Sequence, residues 1–259
     1  AKFKPKKQMN SNTKKIVVIT GGSKGIGKGA AIAFAKKGYF VVISSRSEAT
    51  EALEEIKKLG GEAAFIKADT TKEEDVKNLI EQTVKTYGRI DVLVNNAGMA
   101  GTTSFPLAET TTENFEDVLK INVLGTFWGM KYAINEMLKT GGGNIVNVAS
   151  SAGLIGVKNV APYCAAKHAV LGMSKATAVE YATKKIRVNV VCPGPIMTEM
   201  LQSAIQKGYF TEELFESFNP MNKIGSVEDV ANAVVFLGSD ETPFMTGSVL
   251  SVDGGLVAQ

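Results

Sequence analysis

The chain has 259 residues, of which 44% are apolar and 21% charged, a composition that excludes collagen-like, coiled-coil and intrinsically disordered proteins. Two cysteines, Cys164 and Cys192, and one histidine exclude a disulfide framework and a cysteine- or histidine-rich metal site, so we expect a cytoplasmic protein without metal. The net charge of +3 arises in the first 15 residues, which carry six lysines and no acid, so the rest of the chain is mildly acidic.

The basic N-terminus has too few apolar residues to pack against a core. We predict residues 1–13 to be a disordered basic leader, and the alternative is an anion-binding arm. No apolar run reaches the length of a membrane span, and the first residues lack the apolar stretch of a secretory signal. We therefore expect neither nucleic acid nor a membrane as a partner.

From Lys15 onward, short β-branched runs alternate with longer segments of helical period, the pattern of βαβ units around a parallel sheet. We predict seven strands, at Ile16–Thr20, Phe40–Ser44, Ala63–Lys67, Val92–Asn95, Asn144–Ala149, Arg187–Val191 and Ser248–Val252. We predict six helices between them, at Ile26–Lys37, Thr50–Leu59, Glu73–Tyr87, Phe115–Leu138, Pro162–Ala182 and Val227–Leu237. The strands are too apolar for a one-sided sheet. Residues 14–259 are predicted to form one α/β domain with a Rossmann-like, doubly wound fold, a seven-stranded parallel sheet with helices on both faces.

Two segments interrupt this alternation. Residues 99–114 are rich in threonine and contain a glycine and a proline, so we predict a loop that ends in a helix cap. Residues 197–222 follow a strand and carry apolar side chains at roughly helical spacing. Because binding crevices in open α/β sheets lie at the carboxyl ends of strands, we predict that residues 197–222 form a substrate lid. The alternative is ordinary core packing of two small helices.

The first strand runs directly into a glycine-rich turn, Gly21-Gly22-Ser23-Lys24-Gly25-Ile26-Gly27. Small residues at such a turn let the backbone approach a pyrophosphate, and the N-terminus of the following helix faces the anion with free N–H groups and the positive end of its dipole. The spacing of the glycines between a strand and a helix therefore predicts dinucleotide binding.

The end of the second strand distinguishes the two nicotinamide dinucleotides. A site that prefers NAD places an acid there to bind the ribose 2′-hydroxyl, whereas this chain has Ser44, Ser45 and Arg46. A guanidinium suits a phosphate, and Lys24 in the glycine turn adds a second cation. We therefore expect NADP(H) to be preferred over NAD(H).

Tyr163 and Lys167 are four residues apart in a predicted helix, so their side chains share one face. A free phenol has a pKa of about 10, too high to accept a proton readily at neutral pH. A neighbouring ammonium favours the phenolate, so we expect Lys167 to lower the pKa of Tyr163.

Together these motifs resemble the short-chain dehydrogenase/reductase family. The match runs from Lys14 to the C-terminus and includes the glycine turn, Asp69 and Thr70 after the third strand, Asn95 to Gly98, Asn122, Ser150 placed 13 residues before Tyr163, Lys167, Pro193-Gly194 with Thr198, and Asp253-Gly254-Gly255. What the resemblance implies is hydride transfer between NADP(H) and a secondary alcohol or ketone.

The resemblance also implies a catalytic tetrad of Asn122, Ser150, Tyr163 and Lys167. Tyr163 would exchange the proton with the substrate oxygen, Ser150 would position that oxygen, Lys167 would hold the ribose and tune the tyrosine, and Asn122 would anchor a water. The residues expected to bind the cofactor are Gly21, Ser23, Lys24, Gly25, Ile26, Gly27, Ser45, Arg46, Asp69, Thr70, Asn96, Ala97, Gly98, Tyr163, Lys167, Pro193, Gly194, Ile196 and Thr198.

Other functions remain open at this point. One alternative is a 3-oxoacyl-[acyl-carrier-protein] reductase, and another is a catalytically silent dinucleotide-binding sensor. The expected substrate pocket, at residues 99–105, 154–157 and 197–221, is apolar and does not identify the substrate. By resemblance we expect a homotetramer or homodimer, with the long helices that contain Trp128 and Val170 packed between subunits.

Overall fold

The computed structural model describes residues 14–102, 105–206, 208 and 211–259, and these contain one sheet of seven parallel strands. The predicted leader and two aromatic residues of the predicted lid, Tyr209 and Phe210, lie outside the described residues. The strands are β1 (Ile16–Thr20), β2 (Phe40–Ser45), β3 (Glu62–Lys67), β4 (Val92–Asn95), β5 (Gly143–Val148), β6 (Ile186–Pro193) and β7 (Val249–Val252). Their order is β3-β2-β1-β4-β5-β6-β7. Strands β2 and β3 therefore lie on one side of β1, and β4 to β7 lie on the other side.

The helices cover both faces of the sheet. They are α1 (Gly25–Lys36), α2 (Thr50–Lys58), α3 (Glu73–Tyr87), α4 (Thr112–Leu119), α5 (Gly125–Thr140), α6 (Ala161–Tyr181), α7 (Glu199–Gln206), α8 (Glu212–Glu216) and α9 (Val227–Gly238). Side chains of β1 alternate between two cores: Val17 and Ile19 pack with α1 and α9, whereas Ile16 and Val18 pack with α3 and α5. This alternation confirms the predicted fold, because each strand is apolar on both sides.

The predicted helix Phe115–Leu138 is wrong as a single element. The helical segment begins three residues earlier, at Thr112, because the Thr111 side chain accepts a hydrogen bond from the amide of Asn114 at 3.2 Å. A π-helical turn, Lys120–Leu124, then separates α4 from α5. Such a turn marks a functional site in many helices, and this one contains Asn122.

The strand ends at the carboxyl edge are held in register. Thr20 of β1 lies opposite Asn95 of β4, and Asn95 lies opposite Asn147 of β5. The Asn95 amide donates to Asn147 Oδ1 at 2.8 Å, and the Asn147 amide donates to Ser174 Oγ of α6 at 2.8 Å. These buried bonds tie the central strands to α6 directly below the predicted catalytic residues.

The segment at residues 197–222 contains two short helices, α7 and α8, rather than one continuous element. Several of its apolar side chains are exposed, with Leu214 at 43% and Met221 at 59%. Its far end is fixed by Asn219, which is buried and donates to Lys223 O at 2.9 Å. Within the described residues, no helix combines the length and apolarity that crossing a membrane requires.

Candidate active site

The glycine turn between β1 and α1 depends on its glycines for conformation and space. Gly21 and Gly25 have positive φ angles of 64° and 50°, which disfavour any other residue. A Cβ on Gly27 would lie 2.3 Å from Gly21 O, so α1 could not pack this closely against the turn. The turn therefore exposes the first amides of α1 to the carboxyl edge of the sheet.

A cavity of about 380 Å³ lies beside this turn. The predicted cofactor residues that line it are Gly21, Ser23, Lys24, Gly25, Ile26, Ser45, Arg46, Thr70, Asn96, Ala97, Gly98 and Thr198. The cavity is also lined by Ser47, Ala68, Ile121 and Glu199, which sequence reasoning missed. Glu199 and Ile121 adjoin residues that were predicted, so proximity in sequence was the available signal.

The remaining predicted cofactor residues border the cavity or support it. Gly27 lets α1 pack closely against the glycine turn. Asp69 Oδ1 accepts hydrogen bonds from the amide and hydroxyl of Thr71 at 3.0 and 2.8 Å. Pro193 ends β6, Gly194 donates its amide to Val252 O at 3.0 Å, and Ile196 is buried. Tyr163 and Lys167 belong to the neighbouring cluster of predicted catalytic residues described below.

Two exposed cations lie at the end of the cavity expected to hold the ribose. Lys24 is the N-cap of α1, and Arg46 directly follows β2. Burial alone would raise the pKa of Asp69, but the Thr71 hydrogen bonds and the charge of Arg46 lower it below its ordinary value. The cavity thus joins a backbone cradle to two positive side chains, a donor set that fits a phosphorylated dinucleotide.

Asn96 and Ala97 are held close to the glycine turn. Both of their amides donate to the hydroxyl of Thr20, at 3.1 and 3.2 Å. The Asn96 side chain donates to the carbonyls of Thr20 and Gly21, each at 3.1 Å. This network fixes the loop after β4 against the end of β1, where the cavity opens.

The four predicted catalytic residues converge at the ends of β4 and β5. Ser150 lies two residues beyond β5, and its hydroxyl is close enough to the Tyr163 phenol for hydrogen bonding to lower the pKa of Tyr163. Lys167 Nζ lies 5.4 Å from the centroid of the Tyr163 ring and donates to Val148 O at 3.1 Å. The expected one-face arrangement on α6 is therefore present.

Asn122 reaches the same place from the π-helical turn. Its amide nitrogen donates to Met99 O at 2.8 Å and Val118 O at 2.9 Å, while its buried Oδ1 has no partner among the described residues. A Cβ built on Gly98 would lie 2.6 Å from this oxygen and 3.5 Å from Lys167 Nζ. The absence of a side chain at Gly98 therefore lets the unpaired Asn122 oxygen and Lys167 Nζ both lie close to this backbone.

The expected effect of Lys167 on the phenol is not seen in this structure. Burial raises the pKa of Tyr163 to about 12, and the hydrogen bond with Ser150 opposes this shift. Burial also lowers the pKa of Lys167 to about 8. The physical reason is that desolvation disfavours both the phenolate and the ammonium more strongly than their proximity favours them.

Comparison with known proteins agrees with this geometry. The family described as enoyl-(acyl carrier protein) reductase matches residues 21–257. A cyclohexanol dehydrogenase of Acinetobacter is 40% identical, over 96% of this chain and 98% of its own length. The chain is a short-chain dehydrogenase/reductase.

Further relatives of this short-chain dehydrogenase/reductase span its whole fold. An uncharacterized oxidoreductase of Thermotoga maritima is 44% identical, over 94% of this chain and 98% of its own length. The solved structure of ElxO with NADP bound is 43% identical, with a TM-score of 0.90, over 95% of this chain and 100% of that chain. The family, the fold and the class of oxidoreductase acting on CH–OH groups are therefore confirmed.

Proposed function

We propose that this enzyme transfers a hydride between NADP(H) and a neutral, apolar secondary alcohol or ketone, with Tyr163 as the general acid/base. The observation that carries this proposal is the meeting of Ser150, Tyr163 and Lys167 beside the dinucleotide cavity. A pure binding module has no need of these three groups together, which argues against the silent sensor.

When bound, the nicotinamide supplies or accepts the hydride. In reduction, the Tyr163 hydroxyl donates its proton to the substrate oxygen, and Ser150 donates a hydrogen bond that orients that oxygen. Before the substrate binds, the Ser150 hydroxyl hydrogen-bonds to the phenol and lowers its pKa, against the effect of burial. Lys167 stabilises the negative charge that then develops on Tyr163.

Asn122 extends this proton path. Its unpaired Oδ1 and Lys167 Nζ both lie close to Gly98. We propose that this oxygen holds a water that returns a proton to the lysine after reduction. The predicted role of Asn122 as a water anchor is consistent with this geometry.

The choice of NADP(H) rests on Arg46 and Lys24. Both border the cavity, and neither an aspartate nor a glutamate follows β2 directly. A guanidinium binds a phosphate with charge-assisted hydrogen bonds, whereas an acid at this place would repel it. NADP in the related ElxO structure supports the same choice.

The negative charge of residues 197–222, the predicted lid, favours a neutral substrate over an acidic one. Residues 197–222 contain four glutamates and one lysine, a net charge of −3, and their apolar residues face partly outward. An acidic carrier protein or a thioester of coenzyme A would be repelled by this segment. The charge therefore argues against the alternative of a 3-oxoacyl-[acyl-carrier-protein] reductase, and the cyclohexanol dehydrogenase relative supports a cyclic alcohol or ketone.

A substrate panel tests the proposal. NADPH and NADH oxidation would be followed with cyclohexanone, a steroid ketone, and 3-oxoacyl and enoyl thioesters of acyl carrier protein. We expect turnover of the neutral ketones, faster with NADPH. Turnover confined to a carrier-bound thioester would instead support an acyl-carrier-protein reductase, and reduction with NADH alone would refute the cofactor choice.

We also propose a homodimer or homotetramer. The outward face of α6 carries small side chains at helical spacing, Ala165, Ala169, Gly172 and Ala176, followed by Val179, which is 81% exposed. Val170 is only 1% exposed and packs inside its own subunit, so this small-residue face of α6 would form the contact. Sedimentation equilibrium measures the assembly directly.

A further inference from the structure

The first residue of the lid helix α7 is held against the glycine turn. Glu199 Oε2 accepts a hydrogen bond from the amide of Gly25 at 3.0 Å, a contact across 174 residues of sequence. Thr198 is adjacent, with its methyl carbon 3.4 Å from the position of a Cβ on Gly25. The first residues of the lid therefore contact the glycine turn at the edge of the cavity.

The amide of Gly25 belongs to the N-terminus of α1, which carries a partial positive charge. The first turn of α1 contains no acidic residue, and the N-cap Lys24 provides no side-chain capping bond. Glu199 is thus the negative group that this helix terminus attracts. A carboxylate bound here shows that the terminus is open to an anion, and it takes up an amide at the place where a dinucleotide-binding fold puts the pyrophosphate.

The lid is anchored by other contacts on both sides of this bond. Before it, the Met197 amide donates to Gly225 O at 2.9 Å. At the far end, the Met221 amide donates to Gly254 O at 3.2 Å, and Asn219 is buried. Between these anchors, the contact of Glu199 with Gly25 joins α7 to the glycine turn.

We propose that Glu199 is an electrostatic latch between the lid and the dinucleotide site. In the free enzyme its carboxylate holds α7 on the glycine turn. Two anions repel each other at one helix N-terminus, so the pyrophosphate must displace this carboxylate and thereby release α7. This makes Glu199 a positioning residue outside the proton-transfer chemistry. This inference rests on the proposed use of NADP(H).

The test is the affinity for NADPH, measured by fluorescence titration of the free enzyme, of Glu199→Gln and of Glu212→Gln. Glutamine keeps the shape of the side chain and removes its charge, and Glu199 is exposed, so folding is not at risk. We expect Glu199→Gln to bind NADPH about fivefold more tightly, the size expected for one charge at a helix N-terminus. Glu212→Gln, which removes the same charge from α8, is expected to bind NADPH as the parent does.

Two further measurements separate the latch from other causes. Adenosine carries no phosphate, so its affinity, measured by competition, should be the same in Glu199→Gln and the parent. The gain in NADPH affinity should also shrink at about 1 M salt, where the screening length is roughly 3 Å. An equal gain for adenosine, or a gain independent of salt, would overturn the electrostatic latch.

The failure of this inference is distinguishable from the failure of the proposed function. If the parent binds NADPH and Glu199→Gln binds it equally or more weakly, the latch is wrong and the proposed function stands. If neither protein binds NADPH, the proposed function is wrong and the latch is overturned with it.

Discussion

The cavity beside the glycine turn and the neighbouring cluster of predicted catalytic residues form the two ends of one cleft, and different chemical groups line them. The proposed dinucleotide end consists of backbone amides, glycines and exposed cations such as Arg46, whereas the proposed proton-transfer end consists of buried side chains such as Asn122 and Lys167. At the first end, charges act through water and are screened. At the second, desolvation shifts the pKa of each titratable group. We therefore expect substitutions at the first end to alter affinity and those at the second to abolish turnover.

The largest expected effect follows from removing the phenol oxygen. Tyr163→Phe keeps the ring and deletes the proton donor, so kcat for any ketone should fall by at least about 10²–10⁴-fold, the contribution typical of general acid–base catalysis. NADPH affinity, measured by fluorescence, should remain close to that of the parent.

The matched control is Tyr181→Phe, which makes the same change near the end of α6. It should retain activity. Parent-like turnover in Tyr163→Phe with cofactor bound would mean that proton transfer occurs elsewhere.

The corresponding change at the dinucleotide end is Arg46→Asp. It removes a phosphate partner and introduces repulsion, so the Kd for NADPH should rise at least about tenfold, as expected for the loss of a charge-assisted hydrogen bond. NADH should be affected much less. Lys184→Asp, which changes the same charge just before β6 at the opposite edge of the sheet, is the control. A similar loss for NADH and NADPH would show that Arg46 does not read the 2′-phosphate.

The pH dependence of reduction sharpens the contrast, because it arises at the buried end. Burial lowers the pKa of Lys167 to about 8, so the ammonium is present below this pH and lost above it. Reduction needs this charge to stabilise the phenolate that forms, so kcat should fall about tenfold between about pH 7 and pH 9.

Lys167→Arg provides the comparison, because a guanidinium keeps its charge across this range. Its kcat should be lower and nearly independent of pH. A parent profile without a descending limb, or the same limb in Lys167→Arg, would contradict the assignment.

The smallest effect is expected from removing the predicted basic leader. Deletion of residues 1–13 should leave kcat and the thermal midpoint almost unchanged, because a segment with too few apolar residues to pack against a core is expected to contribute little to stability. Activity assays and calorimetry on the shortened chain measure this. A loss of several degrees, or of oligomerisation, would show that the segment belongs to an interface.

Hydropathy was sufficient to predict the sheet. Five of the seven strands begin or end where their apolar runs do, because strands covered on both faces must be apolar throughout. Both boundaries of β5 and of β6 were missed. The strand β5 lies one residue earlier than predicted, and the last residues of β6 are fixed by pairing with β7, where Pro193 lies opposite Val252. A proline gives no local signal for a strand, so only the pairing with the neighbouring strand β7 revealed this extension.

Likewise, the sequence indicated most residues of the candidate cofactor cavity but not the contact that Glu199 makes with it. Gly21, Gly25 and Thr198 belong to motifs with recognisable spacing, whereas Glu199 reaches Gly25 only through folding. The break in the helix at Asn122 was also missed, because the periodicity of apolar residues runs through a π-helical turn with little change.

The sequence alone determined the fold, the family resemblance and the candidate tetrad, since these depend on residue types at fixed spacings. The tertiary structure decided the pKa values of Tyr163 and Lys167, which shift to about 12 and about 8. The pattern predicted that the ammonium would lower the phenol's pKa, whereas burial raised it. The physical reason is that spacing along a helix gives the distance between two groups, but their solvation depends on every element packed around them.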